Sequence, residues 1–292
     1  MTSSPGPGAR SVVVAGGAGA VGAMLADLWR GDGDTVHVLD ARAGDDIRFP
    51  EREAEVRLRE ADVVVLAVPE DVALEAMKSV SPLLRPTALL VETLSVKSRF
   101  SSAVAELAGD GDRGGPIAGI NPMFAPSLGL SGRTVAAVVH RDGAGADRLL
   151  DDLARWGARV KITTADRHDH VCAAVQTLTH ATVLAFGHAL ADLGVDADEA
   201  AAMATPPFMT MSALLARITG GTPEVYRDVQ ASNPSAPAAR EALARAVSRV
   251  SAASAGDTED FVELLTEAGG PLGGYADEYA RLCARMFGGL SS

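Results

Sequence analysis

The glycine run Gly16-Gly17-Ala18-Gly19-Ala20-Val21-Gly22 follows the apolar residues 11–15 and precedes Met24, Leu25, Leu28 and Trp29 at helical spacing. Gly17, Gly19 and Gly22 form a G-x-G-x-x-G turn between a strand and a helix, the arrangement that seats a dinucleotide pyrophosphate. The first glycine permits the tight turn, the second lets backbone approach the phosphates, and the third lets helix and strand pack closely. The helix N-terminus at Ala20 and Val21 adds partial positive charge. Asp40 ends the next apolar run, 18 residues beyond Gly22, where a carboxylate accepts the adenosine ribose hydroxyls. That acid favours NAD, because it repels a 2′-phosphate. Arg42, two residues on, can offset the repulsion, which keeps NADP open.

Other reactive side chains recur where apolar runs stop. Ala67-Val68-Pro69 ends the third run, and open parallel sheets bind ligands beyond their strand carboxyl ends. Val68 and Pro69 are therefore cofactor candidates, although a proline also simply stops a buried strand. Ser95 and Lys97 follow the fourth run and bring a hydroxyl and an ammonium to the same edge; the alternative is a helix cap followed by a solvated charge. Lys97 is one of only three lysines, with Lys78 and Lys161. The loop Gly119-Ile120-Asn121-Pro122-Met123-Phe124-Ala125-Pro126 follows a further run.

The elements that must hold these residues alternate. Apolar runs over 11–15, 35–39, 62–68 and 88–91 are separated by helix-like stretches over 53–60 and 72–80, which predicts a parallel sheet covered on both faces. Runs at 117–120, 134–139 and 159–162 extend it to residue 164. From residue 165 onward only Ala- and Leu-rich helical segments occur: 167–193, 197–203, 209–219, 223–232, 237–255, 258–267 and 274–287. The expected plan is a flexible tail over 1–10, an α/β Rossmann-like domain over 11–164, and an all-α domain over 165–292. In the first long helix Val171, Ala174, Val175, Leu178, Thr182, Ala185 and Phe186 share one face, which predicts a deeply packed stripe.

Composition narrows the partners. The 292 residues carry 26 Lys and Arg against 38 Asp and Glu, a formal net charge of −12, with no basic block. Nucleic acid and anionic membrane are both bound through clustered positive charge, so neither is expected. No uncharged apolar run approaches the roughly 18 residues of a membrane span. The first ten residues lack the apolar centre of a secretory signal. Cys172 and Cys283 are far apart and read as packed thiols, which fits a reducing cytoplasm. His168 and Asp169 fall at a helix start, where Asp169 reads as a cap or first-turn acid.

The chain resembles the prephenate and arogenate dehydrogenases, which oxidatively decarboxylate a cyclohexadiene. The resemblance runs from the glycine turn through Ser95-Val96-Lys97, the Asn121 to Pro126 loop, Trp156 to Arg159, His168-Asp169, Gln176 to His180 and Gly273 to Ala276. It implies a Rossmann domain, a helical domain that forms a homodimer, and an active site between them. It further implies that His180 and Ser95 serve catalysis. Arg217 is implied to hold the ring carboxylate, and Lys97, Ser127 and Tyr226 to contact the cyclohexadiene dicarboxylate. Arg suits its task because its planar fork meets a carboxylate in two hydrogen bonds. On residue type alone, His180 reads first as a hydrogen-bonded core histidine, and Arg217 as a solvated helix face.

One position departs from the resemblance. Where the tyrosine-pathway enzymes carry a histidine that takes the proton of the substrate C4 hydroxyl, this chain has Asn121. An amide donates and accepts hydrogen bonds but takes no proton near neutral pH, and a lost general base costs about 10²- to 10⁴-fold in rate. A C4 amine needs no such base, because its nitrogen lone pair itself expels hydride. The expected activity is NAD-dependent conversion of 4-amino-4-deoxyprephenate to 4-aminophenylpyruvate, the branch of the family that serves p-aminophenylalanine and antibiotic biosynthesis. The alternatives are an ordinary prephenate or arogenate dehydrogenase and a non-catalytic NAD-binding sensor. The β-hydroxyacid dehydrogenases share the two-domain plan but need a lysine on the first long helix, and no lysine follows Lys161.

Overall fold

The computed structural model describes residues 8–109 and 114–290. It divides into two compact units, Met1–Val171 and Cys172–Ser292. The first holds seven strands: β1 (Ser11–Ala15), β2 (Thr35–Leu39), β3 (Val63–Leu66), β4 (Leu89–Glu92), β5 (Ile117–Pro122), β6 (Thr134–Arg141) and β7 (Arg159–Ile162). Between and after them lie α1 (Ala20–Gly31), α2 (Arg52–Glu60), α3 (Glu70–Val80), α4 (Ser98–Gly109), α5 (Ala144–Arg155) and α6 (Ala165–Cys172).

The sheet order is β2-β1-β3-β4-β5-β6-β7. Chain direction across the sheet reverses at β1, so the crevice beyond the carboxyl ends of β1 and β3 is the ligand position of a doubly wound fold. The sheet is parallel, as expected, except that β5 and β6 pair antiparallel. A parallel return requires a crossover of a dozen or more residues, usually a helix. Residues 123–133 supply only a single 3₁₀ turn, Pro126–Leu128.

Alternation along the strands sorts the core into two layers. Val13, Ala15, Val64, Leu66 and Leu90 pack with Leu58, Ala73, Met77, Phe100 and Val104 of α2, α3 and α4. Val12, Val14, Val63, Val65, Leu89 and Val91 pack with Leu25, Ala26 and Trp29 of α1 and Leu149 and Leu153 of α5. Burial on both faces is why these strands read as unbroken apolar runs. The tail also needs correction at its end. Arg10 is buried, its backbone N–H and guanidinium on Asp34 and its Nη1 2.6 Å from Asp152, so it belongs to the fold. Residues 1–7 of that tail lie outside the described residues.

The second unit opens with a π-helical stretch, Ala173–Leu178, followed by α7 (Thr179–Leu193), α8 (Ala197–Ala202), α9 (Pro206–Thr219), α10 (Pro223–Ala231), α11 (Ala236–Ala255), α12 (Thr258–Gly269) and α13 (Ala276–Gly289). The stripe expected to be deeply packed is instead largely open in this single chain: Val171 is 40% and Val175 50% exposed, and Ala174, Thr182 and Ala185 are exposed too. The i→i+5 turn rotates the following face away from the regular helical repeat. Cys172, Ala173, Thr177 and Val183 are buried in place of the stripe. Val247, Val250, Phe261, Val262, Leu265, Leu282 and Met286 of α11 to α13 are likewise exposed. Among the described residues no helix is long and apolar enough to cross a membrane, and no cluster of His, Cys, Asp and Glu could hold a metal ion.

Candidate active site

The glycine turn is shaped by backbone that would not tolerate side chains. The left-handed residue is Gly16, with φ 77°, so the tight turn expected at Gly17 belongs one residue earlier. A Cβ on Gly16 would collide with the carbonyl of Ala67, joining the ends of β1 and β3. A Cβ on Gly17 would lie 2.6 Å from Val38 Cγ1, and one on Gly22 would strike the Gly16 carbonyl, so Gly22 is the close-packing glycine the sequence predicts. Gly19 differs: a Cβ there would meet only Gly16 O, at 3.2 Å. Gly19 is the N-cap of α1 and lends no side chain, so the first-turn amides of Ala20 and Val21 remain for a ligand. Asp40 Oδ2 accepts from Ala18 N at 3.0 Å and Oδ1 from Arg42 N at 3.1 Å, which fixes the carboxylate against the turn. Each oxygen keeps a further lone pair for a ribose hydroxyl. Val68 is half-buried and Pro69 exposed, immediately before α3. These residues suit a dinucleotide.

Beyond β4 the structure corrects the expectation for Lys97. Its ammonium is wholly buried, 2.7 Å from Glu92 Oε2 and 3.0 Å from the Ile120 carbonyl, so it serves the fold and not a solvent-facing substrate contact. Glu92 Oε2 also accepts from Leu94 N, and Oε1 lies 3.0 Å from His140 Nε2. Burial would raise the Glu92 carboxyl, but the Lys97 charge and the hydrogen bond from His140 hold it below its ordinary value of 4.5. Gly119 makes room for this cluster, since a Cβ there would overlap Glu92 Oε1. Ser95 sits half-buried in the bend before Lys97.

Asn121, buried on β5, places its Nδ2 3.2 Å from His168 Nε2. His168 Nδ1 is 2.8 Å from Asp169 Oδ1. Asp169 does not cap its own helix, as the sequence suggests, but binds the start of α4: Oδ1 accepts from Lys97 N and Oδ2 from Ser98 N, both at 2.8 Å, and from Ser98 Oγ at 2.5 Å. Burial alone would raise the Asp169 carboxyl; the hydrogen bonds from His168, Ser98 and the two amides hold it below 3.8. Sequence reasoning missed His168 as the partner of Asn121, and its one signal was the His168-Asp169 pair. Ser127 lies exposed on the 3₁₀ turn.

In the second unit the π stretch is held from its flank: Thr177 Oγ1 donates to the Val229 carbonyl and Gln230 Nε2 to that of Thr177. One turn on, His180 packs edge to face on Tyr226, with ring centroids 5.1 Å apart. Burial, and after it the charge of Arg217, pushes the His180 imidazole below its ordinary 6.5, so it is neutral at pH 7. His180 Nδ1 and Gln176 Oε1 are both buried without a hydrogen-bond partner among the described residues. Arg217, exposed in the last turn of α9, carries a charge that helps lower His180.

Two family descriptions match: "Prephenate dehydrogenase, nucleotide-binding domain" over residues 36–130 and "Prephenate dehydrogenase, dimerization domain" over residues 164–267. The chain is 51% identical over 289 residues to a 4-amino-4-deoxyprephenate dehydrogenase of Streptomyces pristinaespiralis, covering 95% of this chain and 96% of that one. It is 30% identical over 215 residues to a probable arogenate/prephenate dehydrogenase of Methanocaldococcus jannaschii, covering 72% of this chain and 48% of that one. Among solved structures, the prephenate dehydrogenase of A. aeolicus in complex with hydroxyphenyl propionate and NAD+ shares the fold at TM-score 0.69 and 19% identity, over 90% of this chain and 97% of that one. The Synechocystis arogenate dehydrogenase does so at TM-score 0.61 and 20% identity, over 92% and 99%. A glycine turn and Asp40 at one sheet edge, His180 and Arg217 on adjoining helices, and these matches agree: the chain belongs to the prephenate dehydrogenase family.

Proposed function

We propose that this protein is an NAD-dependent dehydrogenase that converts 4-amino-4-deoxyprephenate to 4-aminophenylpyruvate, with release of CO₂. The observation that carries the reading is Asn121. Asn121, proposed here to face the substrate C4 substituent, is an amide tied to His168, with no proton-accepting group of its own. The glycine turn, Val68 and Pro69 would hold NAD, with Asp40 on its ribose, and NAD would supply the hydride acceptor. As hydride leaves C4, the nitrogen lone pair forms the C=N bond of an iminium. The electrons of the C1–carboxylate bond then flow into the ring, CO₂ departs, and the product is the aromatic amine. No proton has to leave the nitrogen, so an amide suffices where a hydroxyl substrate needs a base. Arg217 pairs with a substrate carboxylate, and His180, neutral at pH 7, accepts a hydrogen bond while packed on Tyr226. Ser95 and Ser127 supply hydroxyls at the same sheet edge.

The functional division runs near residue 165, with nucleotide binding before it and dimerisation after it. A homodimer gives the exposed Val171 and Val175 stripe and the exposed apolar residues of α11 to α13 a partner. The protein acts in the cytoplasm on a small molecule and needs no nucleic acid or membrane. The deciding experiment is NADH formation measured side by side with 4-amino-4-deoxyprephenate, prephenate and arogenate. Turnover of prephenate as efficient as that of the amino compound would overturn the reading, and NAD binding without any turnover would point to the sensor.

A further inference from the structure

We infer that His168 is the positioning residue that sets the specificity of the Asn121 amide; this rests on the proposed amine substrate. An amide has nearly the same shape in both orientations, but a flip exchanges a donor for an acceptor. The end presented to substrate is therefore decided by the partner fixed behind it. The Asp169 carboxylate, held by Lys97 N, Ser98 N and Ser98 Oγ, only accepts, so His168 Nδ1 carries the hydrogen and donates. With its hydrogen on Nδ1, the neutral ring leaves Nε2 as an acceptor, and Asn121 Nδ2, 3.2 Å away, is the amide end that can donate to it. Asn121 Oδ1, which makes no hydrogen bond among the described residues, is the end left for the ligand.

An acceptor is the useful end. Asn121 Oδ1 can take one amine N–H while the nitrogen lone pair stays available to expel hydride. As positive charge grows on nitrogen, that hydrogen bond strengthens, so its effect falls on kcat more than on KM. The flipped amide would donate to the lone pair and hold it back. The pair His168 and Asp169, 3% and 1% exposed, is thus a buried device for one amide orientation.

The test has two parts. In the unmodified protein labelled with ¹⁵N-histidine, NMR reads the tautomer of His168, assigned by the signal lost in His168→Gln. Nδ1–H with a bare Nε2 is expected, and the Nε2–H tautomer would overturn the inference. In kinetics with the amino substrate, His168→Phe is expected to lower kcat about 10-fold with KM nearly unchanged, the scale of one hydrogen bond. His168→Gln, whose Oε1 accepts the same amide N–H, is expected to recover most of it. Equal losses in the two variants, or a loss confined to KM, would overturn it. If His168→Phe does not fold, the tautomer decides. Failure of the proposed function is separately visible, as absence of turnover of the amino compound by the unmodified protein.

Discussion

Lys97 Nζ and Glu92 Oε2 meet at 2.7 Å with both side chains fully buried, and the same ammonium donates to the carbonyl of Ile120, one residue before Asn121. The pair therefore ties the end of β4 to β5 beside Asn121, the residue proposed to face the substrate. Truncating one partner of a buried pair strands the other charge, at about 3 to 5 kcal/mol. Lys97→Met is expected to destabilise by that amount in urea unfolding, and Lys97→Met combined with Glu92→Gln by distinctly less. An additive double variant would mean that the two groups do not depend on one another.

Acid should weaken the same region. Glu92 and Asp169 both hold their protons less tightly when folded than in the ordinary state, whose values are 4.5 and 3.8. Their contributions are then fully present above those ordinary values and are lost as pH falls through the lower folded ones. The unfolding temperature is expected to drop steeply below about pH 4. Asp169→Asn, which removes one of the two carboxylates, should give a shallower slope over the same interval; an unchanged slope would remove Asp169 from the account.

Much of this arrangement is legible in the sequence because the signals are local. The glycine turn, Asp40 at the end of β2 and each strand run depend on neighbours within one unit of strand and helix. Lys97 misled because nothing local tells a solvated ammonium from one buried on Glu92, five residues earlier. The Asn121 to His168 contact joins residues 47 apart, beyond the reach of spacing arguments. The exposed stripe at Val171 and Val175 has the right periodicity for burial, but a single chain provides no surface to bury it.

Asp40 should govern cofactor choice. Its carboxylate is fixed by Ala18 N and Arg42 N at the glycine turn, where a 2′-phosphate would meet like charge. NAD is expected to give the higher kcat/KM, and Asp40→Ala to narrow the gap to NADP. Equal efficiency in the unmodified protein would shift the assignment to Arg42.

Arg217 should act as the carboxylate clamp. A charged hydrogen bond contributes about 1.5 to 3 kcal/mol, so Arg217→Ala is expected to cost roughly 10- to 150-fold in kcat/KM. The same change removes the charge that helps depress His180, so the His180 imidazole should titrate closer to its ordinary value, readable by NMR. Full activity in a folded variant would end the assignment.

Asn121→His tests the functional reading most directly. The new imidazole would stand against His168 Nε2, which accepts in the Nδ1–H tautomer inferred above. It would therefore donate one ring N–H to His168 and turn its bare nitrogen outward, where a base is needed to take a hydroxyl proton. Activity toward prephenate is expected to rise, toward the 10²-fold lower end of general-base effects. Activity toward 4-amino-4-deoxyprephenate should not rise with it, because no proton has to leave the amine nitrogen and Asn121 Oδ1 already offers the acceptor that the bare ring nitrogen would replace. With the amino substrate, kcat/KM of the unmodified protein should climb with pH through the ammonium pKa of the substrate itself, since only the neutral amine has a lone pair to release. A variant that gained equally on both substrates would show that Asn121 does not discriminate between hydroxyl and amine.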